Sequence, residues 1–161
     1  MVILGIDPGL AHTGFGAVRF SGKKRSLLAC GYIKTPPGEA VSRRLFQIHT
    51  DMGKLVEKIK PDFVAVENIF SLVRYPKAGI LLGGVLGVLY LTVQQNNIEV
   101  VEITPKEIKN SLVGYGSAGK AQVKKAVQAL LGVDDIRSFH AADALAVALA
   151  AFYRNTAGVK R

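Results

Sequence analysis

The chain is 161 residues long, and its 21 Lys and Arg against 12 Asp and Glu leave a formal net charge of +9 at pH 7. With 49% apolar and 20% charged residues it can bury enough surface to offset its ordering entropy, which excludes a disordered chain and suits a single domain over residues 1–161. A lone cysteine, Cys30, excludes an internal disulfide framework and a cysteine-based zinc site and makes a reducing cytoplasm the default, while the basic excess favours a polyanionic partner.

Met1-Val-Ile-Leu-Gly-Ile lacks a basic region and meets Asp7 almost at once, so it reads as no secretory signal. Val2–Ile6 is instead a short apolar run closed by Asp7-Pro8-Gly9, the pattern of a buried central strand ending in a turn. Thr13–Phe20 and Leu27–Lys34, separated by Ser21-Gly-Lys-Lys-Arg25, read as an antiparallel meander continuing from it. After Pro36-Pro37-Gly38, apolar residues from Val41 to Ile59 recur at helical spacing and predict one long amphipathic helix. Pro61-Asp62 leads into the strand Phe63–Val66, which ends at Glu67.

The glycine-rich stretch Ala78–Val93 reads as a buried helix; as an apolar run it is shorter than the ~20 residues of a membrane span, and no membrane association is expected. Ile98–Ile103 is a further strand. Thr104-Pro105-Lys106-Glu107 is a capping box with proline at the first helical position, so a helix starts there and stops at Gly114. Val123, Val127, Leu130 and Leu131 mark another helix, and Ala141–Ala151 the last. Three strands followed by alternating helices and strands imply an α/β fold with a mixed sheet and helices on both faces.

Gly114-Tyr-Gly-Ser-Ala-Gly119-Lys120-Ala121 satisfies G-x-G-x-x-G, and G-x-x-x-x-G-K up to its last position. Both patterns bind phosphate at a helix N-terminus directly after a strand, yet here the preceding element is a helix, and Ala121 replaces the hydroxyl that ligates Mg²⁺. A helix–helix turn is the plain reading. A glycine loop presenting Lys120 to a nucleic-acid phosphate keeps the same physics.

Three acids stand where acids are costly: Asp7 and Glu67 end apolar strands, and Asp143 sits inside Ala141–Leu149. Each has an ordinary explanation, as a turn-forming aspartate, a surface acid and a helix-dipole partner respectively, and His140 alone reads as a hydrogen-bonded structural histidine. In a sheet whose first and fourth strands are adjacent and parallel, however, Asp7 and Glu67 emerge at one edge. His140 and Asp143, three apart on the last helix, could close over them. Such a cluster raises its own pKa values unless hard cations such as Mg²⁺ or Mn²⁺ bind between the carboxylates, and two ions about 3.5–4 Å apart support phosphodiester hydrolysis.

Gly5-Ile-Asp-Pro-Gly9 with Thr13-Gly14, Val66-Glu-Asn-Ile-Phe70, Val113-Gly-Tyr-Gly-Ser-Ala-Gly-Lys120 and Ala141-Ala-Asp-Ala-Leu-Ala146 resemble, in order and spacing, the RuvC family of Holliday-junction resolvases. The resemblance spans nearly the whole chain. It implies an RNase H-like (integrase superfamily) fold, a mixed five-stranded sheet flanked by helices on both faces. It also implies a homodimeric endodeoxyribonuclease of homologous recombination and DNA repair, which makes paired symmetric nicks in four-way junctions and leaves 5′-phosphate and 3′-hydroxyl ends. Two Mg²⁺ per site, with Mn²⁺ as a substitute, and a branch-migration complex of the RuvA and RuvB type come with it.

The family's acidic positions fall on Asp7, Glu67 and Asp143, and a fourth falls on His140, where many members carry aspartate. A histidine ligates only when neutral, so activity should fall at low pH. The junction-stacking aromatic matches Phe70, and the basic DNA-contacting positions match Lys109 and Lys120. Arg74 and Lys77 are further DNA-binding candidates, from the spread of basic residues that could ring the acidic pocket. Leu72–Lys77 departs from the usual polar loop and holds one extra residue, and Leu86 replaces a common basic residue. Gly79, Gly83 and Gly87, four apart, suit close helix packing within a subunit or, as the resemblance favours, across a dimer. Rival readings are a ribonuclease H-type hydrolase, an actin-like ATPase relative lacking its second domain, and a silent DNA-binding module.

Overall fold

In a computed structural model of the chain, whose described residues are 1–68 and 76–158, three strands come first: β1 (Val2–Asp7), β2 (His12–Ser21) and β3 (Lys24–Lys34). Then follow α1 (Val41–Ile59), β4 (Phe63–Glu67), α2 (Pro76–Gln95), β5 (Glu99–Ile103), α3 (Pro105–Val113), α4 (Lys120–Leu131) and α5 (Phe139–Gly158). The sheet order is β3-β2-β1-β4-β5, with β1, β2 and β3 antiparallel and β1, β4 and β5 parallel. The element order matches the one read from the sequence. Phe70 and Arg74 lie outside the described residues.

Strand alternation divides the core into two layers. Ile3, Phe63 and Ala65 face α3, α4 and α5, whereas Leu4, Ile6, Val64 and Val66 face α1 and α2. The register pairs Gly5 with Ala65 and Ile6 with Val66, so the next residues, Asp7 and Glu67, leave the sheet side by side on the α5 face.

Two expectations need correction. β3 begins at Lys24 rather than Leu27, because Ser21 pairs with Lys24 and the connection contracts to Gly22 and Lys23, with Gly22 at φ 57°. An edge strand tolerates the charged pair Lys24-Arg25, and the Arg25 guanidinium lies over the Tyr153 ring, 5.4 Å from its centroid.

The second correction concerns α2. It runs for 20 residues, and its stretch Lys77–Gln95 is long and apolar enough, by length and composition, to cross a membrane, although the apolar run alone is not. Nor is it a wholly buried helix. Val85, Leu86, Leu89 and Val93 pack against α1 and the sheet, while Ile80 and Leu91 are 75% and 57% exposed. A Cβ added at Gly83 or Gly87 would meet nothing within 4 Å, so these two glycines serve no packing among the described residues.

Candidate active site

The approach of α5 to the sheet is set by glycine. A Cβ on Gly5 would stand 2.0 Å from the Ala144 carbonyl oxygen, and one on Gly14 would stand 2.2 Å from that of His140. Backbone therefore rests on backbone, and the alanines of α5 keep its near side equally thin: Ala141, Ala144 and Ala148 are buried. The first turns of α5 are thereby pressed onto the ends of β1 and β2, carrying His140 and Asp143 to Asp7.

A cleft of ≈ 230 Å³ opens there, lined by Asp7, Glu67, Lys109, Lys120 and Asp143 with an apolar wall of Ile108, Val123 and Ala146. Lys109 is delivered by α3, whose start is fixed by a reciprocal cap: the Thr104 hydroxyl accepts from the Glu107 N–H at 3.2 Å, and Glu107 accepts from the Thr104 N–H at 2.8 Å. Helix α3 ends at Gly114, φ 91°, and α4 opens at Lys120, with the Gln122 side chain accepting the Gly119 N–H at 2.8 Å. The glycine loop is thus a turn between two helices, without the preceding strand that a nucleotide-binding loop requires.

Two contacts hold the carboxylates. The Lys120 Nζ lies 3.2 Å from Asp143 Oδ2, and the His140 Nδ1 lies 3.2 Å from Asp7 Oδ2. A carboxylate can only accept, so His140 donates through Nδ1–H, which leaves Nε2 as the nitrogen with a lone pair in the neutral ring. His140 itself is stacked on His12, with centroids 5.0 Å apart and planes at 15°, and Tyr32 meets His12 edge-on at 5.2 Å. Sequence reasoning missed His12 and Tyr32, which the pairing of β2 with β3 brings beside α5; no periodicity marks them.

Burial pushes the Glu67 carboxyl up to about 7, aided by the charges of Asp7 and Asp143 and opposed by Lys120 and Lys109. Asp7 is likewise raised, first by burial, against the lowering effect of its hydrogen bond to His140. The Lys120 ammonium is held charged above its usual range, chiefly by Asp143. Among the described residues no three His, Cys, Asp or Glu side chains are already drawn together tightly enough to hold an ion. The donor set nevertheless fits a hard divalent cation. Its ligands are oxygen-rich and partly desolvated, and they repel one another in a way that a cation relieves. Lys77, at the start of α2, is exposed and does not line the cleft.

The chain and its fold have close counterparts. Residues 3–151 match the model of a family described as crossover junction endodeoxyribonuclease RuvC. The chain belongs to the RuvC family. A RuvC of Natranaerobius thermophilus is 41% identical over 150 residues, 92% of each chain. The structure of Thermus thermophilus RuvC is 35% identical with a TM-score of 0.89, covering 98% of this chain and 97% of that one. The same Thermus protein in complex with a Holliday junction substrate matches with a TM-score of 0.90 at 34% identity, over 98% and 96% of the two chains. The fold is therefore RNase H-like, as the resemblance implied, and neither a ribonuclease H-type hydrolase nor an ATPase relative is favoured.

Proposed function

We propose that this RuvC-family chain is a structure-specific endodeoxyribonuclease that resolves four-way DNA junctions by hydrolysing one phosphodiester bond per subunit. The observation that carries the reading is the parallel pairing of β1 with β4, which brings Asp7 and Glu67 to one cleft beneath the Asp143 of α5. In each nick, water oxygen forms a bond to phosphorus as the bond to the 3′-oxygen breaks. One of the water's protons ends on the 3′-oxygen and the other is released, and the products are a 5′-phosphate and a 3′-hydroxyl.

Asp7, Glu67 and Asp143 would hold two Mg²⁺ ions, for which Mn²⁺ can substitute, with His140 supporting Asp7 or joining as a ligand. When bound, such ions supply the Lewis acidity that activates water and stabilises the leaving oxygen. Glu67 must be ionised to ligate, so its raised pKa makes metal loading increase as pH rises through about 7. The His140 Nδ1–H holds Asp7 Oδ2 and fixes its orientation. Lys120 and Lys109 counter the negative charge that the scissile strand brings to an acidic cleft, and Lys120, mostly exposed at the mouth, can exchange Asp143 for a phosphate oxygen. Phe70, on the resemblance, and Arg74 and Lys77, from the spread of basic residues, are the further candidates for contact with the junction.

The chain works as a homodimer in this reading, which the outward apolar strip of α2 supports: Ile80 and Leu91 are exposed, and Gly83 and Gly87 offer close approach. The test is cleavage of a synthetic four-way junction. Asp7→Asn should abolish nicking in Mg²⁺ and Mn²⁺ while junction binding persists. Undiminished nicking by that variant, or faster cutting of an RNA–DNA hybrid than of the junction, overturns the proposal.

A further inference from the structure

On the opposite face of the sheet from the cleft, one carboxylate joins three elements. Glu102, the penultimate residue of β5, accepts the Asn68 side-chain amide on Oε2 at 2.5 Å and the Tyr90 hydroxyl of α2 on Oε1 at 2.6 Å. Its own backbone carbonyl accepts from Arg154 Nη1 of α5 at 2.7 Å. Asn68 follows Glu67 directly, and its backbone N–H donates to the Ile103 carbonyl at 2.8 Å, one step beyond the last paired residues of β4 and β5.

The chain therefore leaves the sheet at Asn68 tied twice to β5, once through the backbone and once through Glu102. Strand ends fray unless side chains hold them, because each residue beyond the ladder regains backbone freedom. Here the residue that would fray is the neighbour of Glu67. Both oxygens of Glu102 are engaged by neutral donors, so the carboxylate acts as a fixed acceptor rather than as half of an ion pair. Burial and the adjacent Glu102 push the Tyr90 hydroxyl pKa up, so it remains a donor throughout the working range of a nuclease.

We propose that Glu102 is a positioning residue for Glu67: by clamping Asn68 to β5 and to Tyr90 of α2, it fixes the strand end that aims the Glu67 carboxylate into the cleft. The inference rests on the reading of Glu67 as a metal-holding carboxylate. Groups that orient the ligands of a metal site change affinity or activity by roughly 10–100-fold when removed. Glu102 does the same through one peptide unit, and through Tyr90 it also ties the cleft to the helix with the exposed apolar strip.

The test is a charge-conserving swap in the full chain. Glu102→Gln leaves one neutral acceptor oxygen where the Asn68 amide and the Tyr90 hydroxyl each had a charged one, and Asn68→Asp places a carboxylate against Glu102; the first change weakens the pairing and the second breaks it. The double variant restores it: the carboxylate introduced at position 68 accepts from the amide introduced at position 102, whose carbonyl oxygen still accepts from Tyr90. Single-turnover nicking at saturating junction is measured against Mg²⁺ concentration, and Mn²⁺ binding without DNA is measured by electron paramagnetic resonance. Each single variant should lower the saturated rate at least tenfold and weaken Mn²⁺ binding by a similar factor, with junction affinity unchanged. The double variant should recover to within about threefold of the parent on both readouts.

Thermal melting accompanies each variant, and a single variant that fails to fold while the double folds and nicks supports the pairing as well. Single variants with parental rate and Mn²⁺ binding overturn the proposal, as does a double variant no better than the worse single. Glu67→Gln runs alongside. If it nicks normally, the reading of the site has failed; if it is inactive while Glu102→Gln is normal, only the positioning role has failed.

Discussion

Replacing Glu67 with glutamine separates what the cleft costs the fold from what it offers a metal. In the metal-free protein this carboxyl titrates at about 7 rather than 4.5, raised first by burial and then by Asp7 and Asp143. Between those two values the folded state retains a proton that the unfolded chain has lost. Stability contributed by the protonated group is thus full below pH 4.5, falls as pH rises to 7, and stays low above it. At 1.36 kcal/mol per pKa unit the shift corresponds to about 3 kcal/mol, which screening by water in the open cleft reduces to about 2 kcal/mol.

Glutamine keeps the shape without the charge. In EDTA at pH 8, Glu67→Gln should therefore be more stable than the parent by about 2 kcal/mol, or roughly 4–8 °C in Tm for a chain of this size. At pH 4 the two should coincide. Adding Mg²⁺ should narrow the gap at pH 8, since binding to the folded parent adds stability that the variant lacks. Calorimetric melting at pH 4, 6 and 8, with EDTA and then Mg²⁺, measures each quantity. A variant less stable than the parent at pH 8 in EDTA, or a difference independent of pH, refutes the assignment of repulsion and burial at Glu67.

Gly14→Ala should cost about 3 kcal/mol in urea unfolding and abolish nicking, because its Cβ meets the His140 carbonyl at 2.2 Å and must lift the start of α5; a loss under about 0.5 kcal/mol would remove the close-approach argument. Lys120→Met should slow nicking more than it weakens binding and reduce the salt dependence of junction affinity by about one unit of slope; unchanged rate and slope would show that the ammonium does not face phosphate. His12→Ala should free the His140 ring while His12→Phe keeps the stack, and the ¹⁵N signals of His140 report the Nδ1–Asp7 contact directly. If both variants leave those signals alone, the stack does not hold the ring.

Asp7 and Glu67, each explicable alone, were legible together in sequence because both end apolar strands, and because a meander followed by a helical crossover places the first and fourth strands side by side. The capping box at Thr104 and Glu107 was legible for a local reason: every participant lies within four residues. Composition failed at α2. Apolar content predicts that a face needs cover, not whether the cover comes from the same chain, and here Ile80 and Leu91 are left outside. Glu102 was passed over because its strand ends in residues that alternate without an unbroken apolar run. What distinguishes it is not its own neighbourhood in sequence but the arrival of Asn68 and Tyr90, 34 and 12 residues away.

Repulsion among Asp7, Glu67 and Asp143 opposes folding, so something stronger has to hold them together before any metal arrives. The acids do not hold themselves: two of the three are raised in pKa, and their ion-pair and hydrogen-bond partners, Lys120 and His140, are substantially exposed. What holds them is backbone. β1 and β4 are central, parallel strands whose apolar residues are almost fully buried, and α5 seats its backbone directly on Gly5 and Gly14. Because that backbone scaffold does not depend on the charges of Asp7, Glu67 and Asp143, those charges can be tuned for chemistry at a cost that the buried strands absorb. The same separation explains how a chain with nine excess positive charges keeps an acidic centre. The basic side chains attract the polyanion over the surface, and the sheet edge sets the carboxylates around one cleft, where a cation that drew them together would relieve their mutual repulsion.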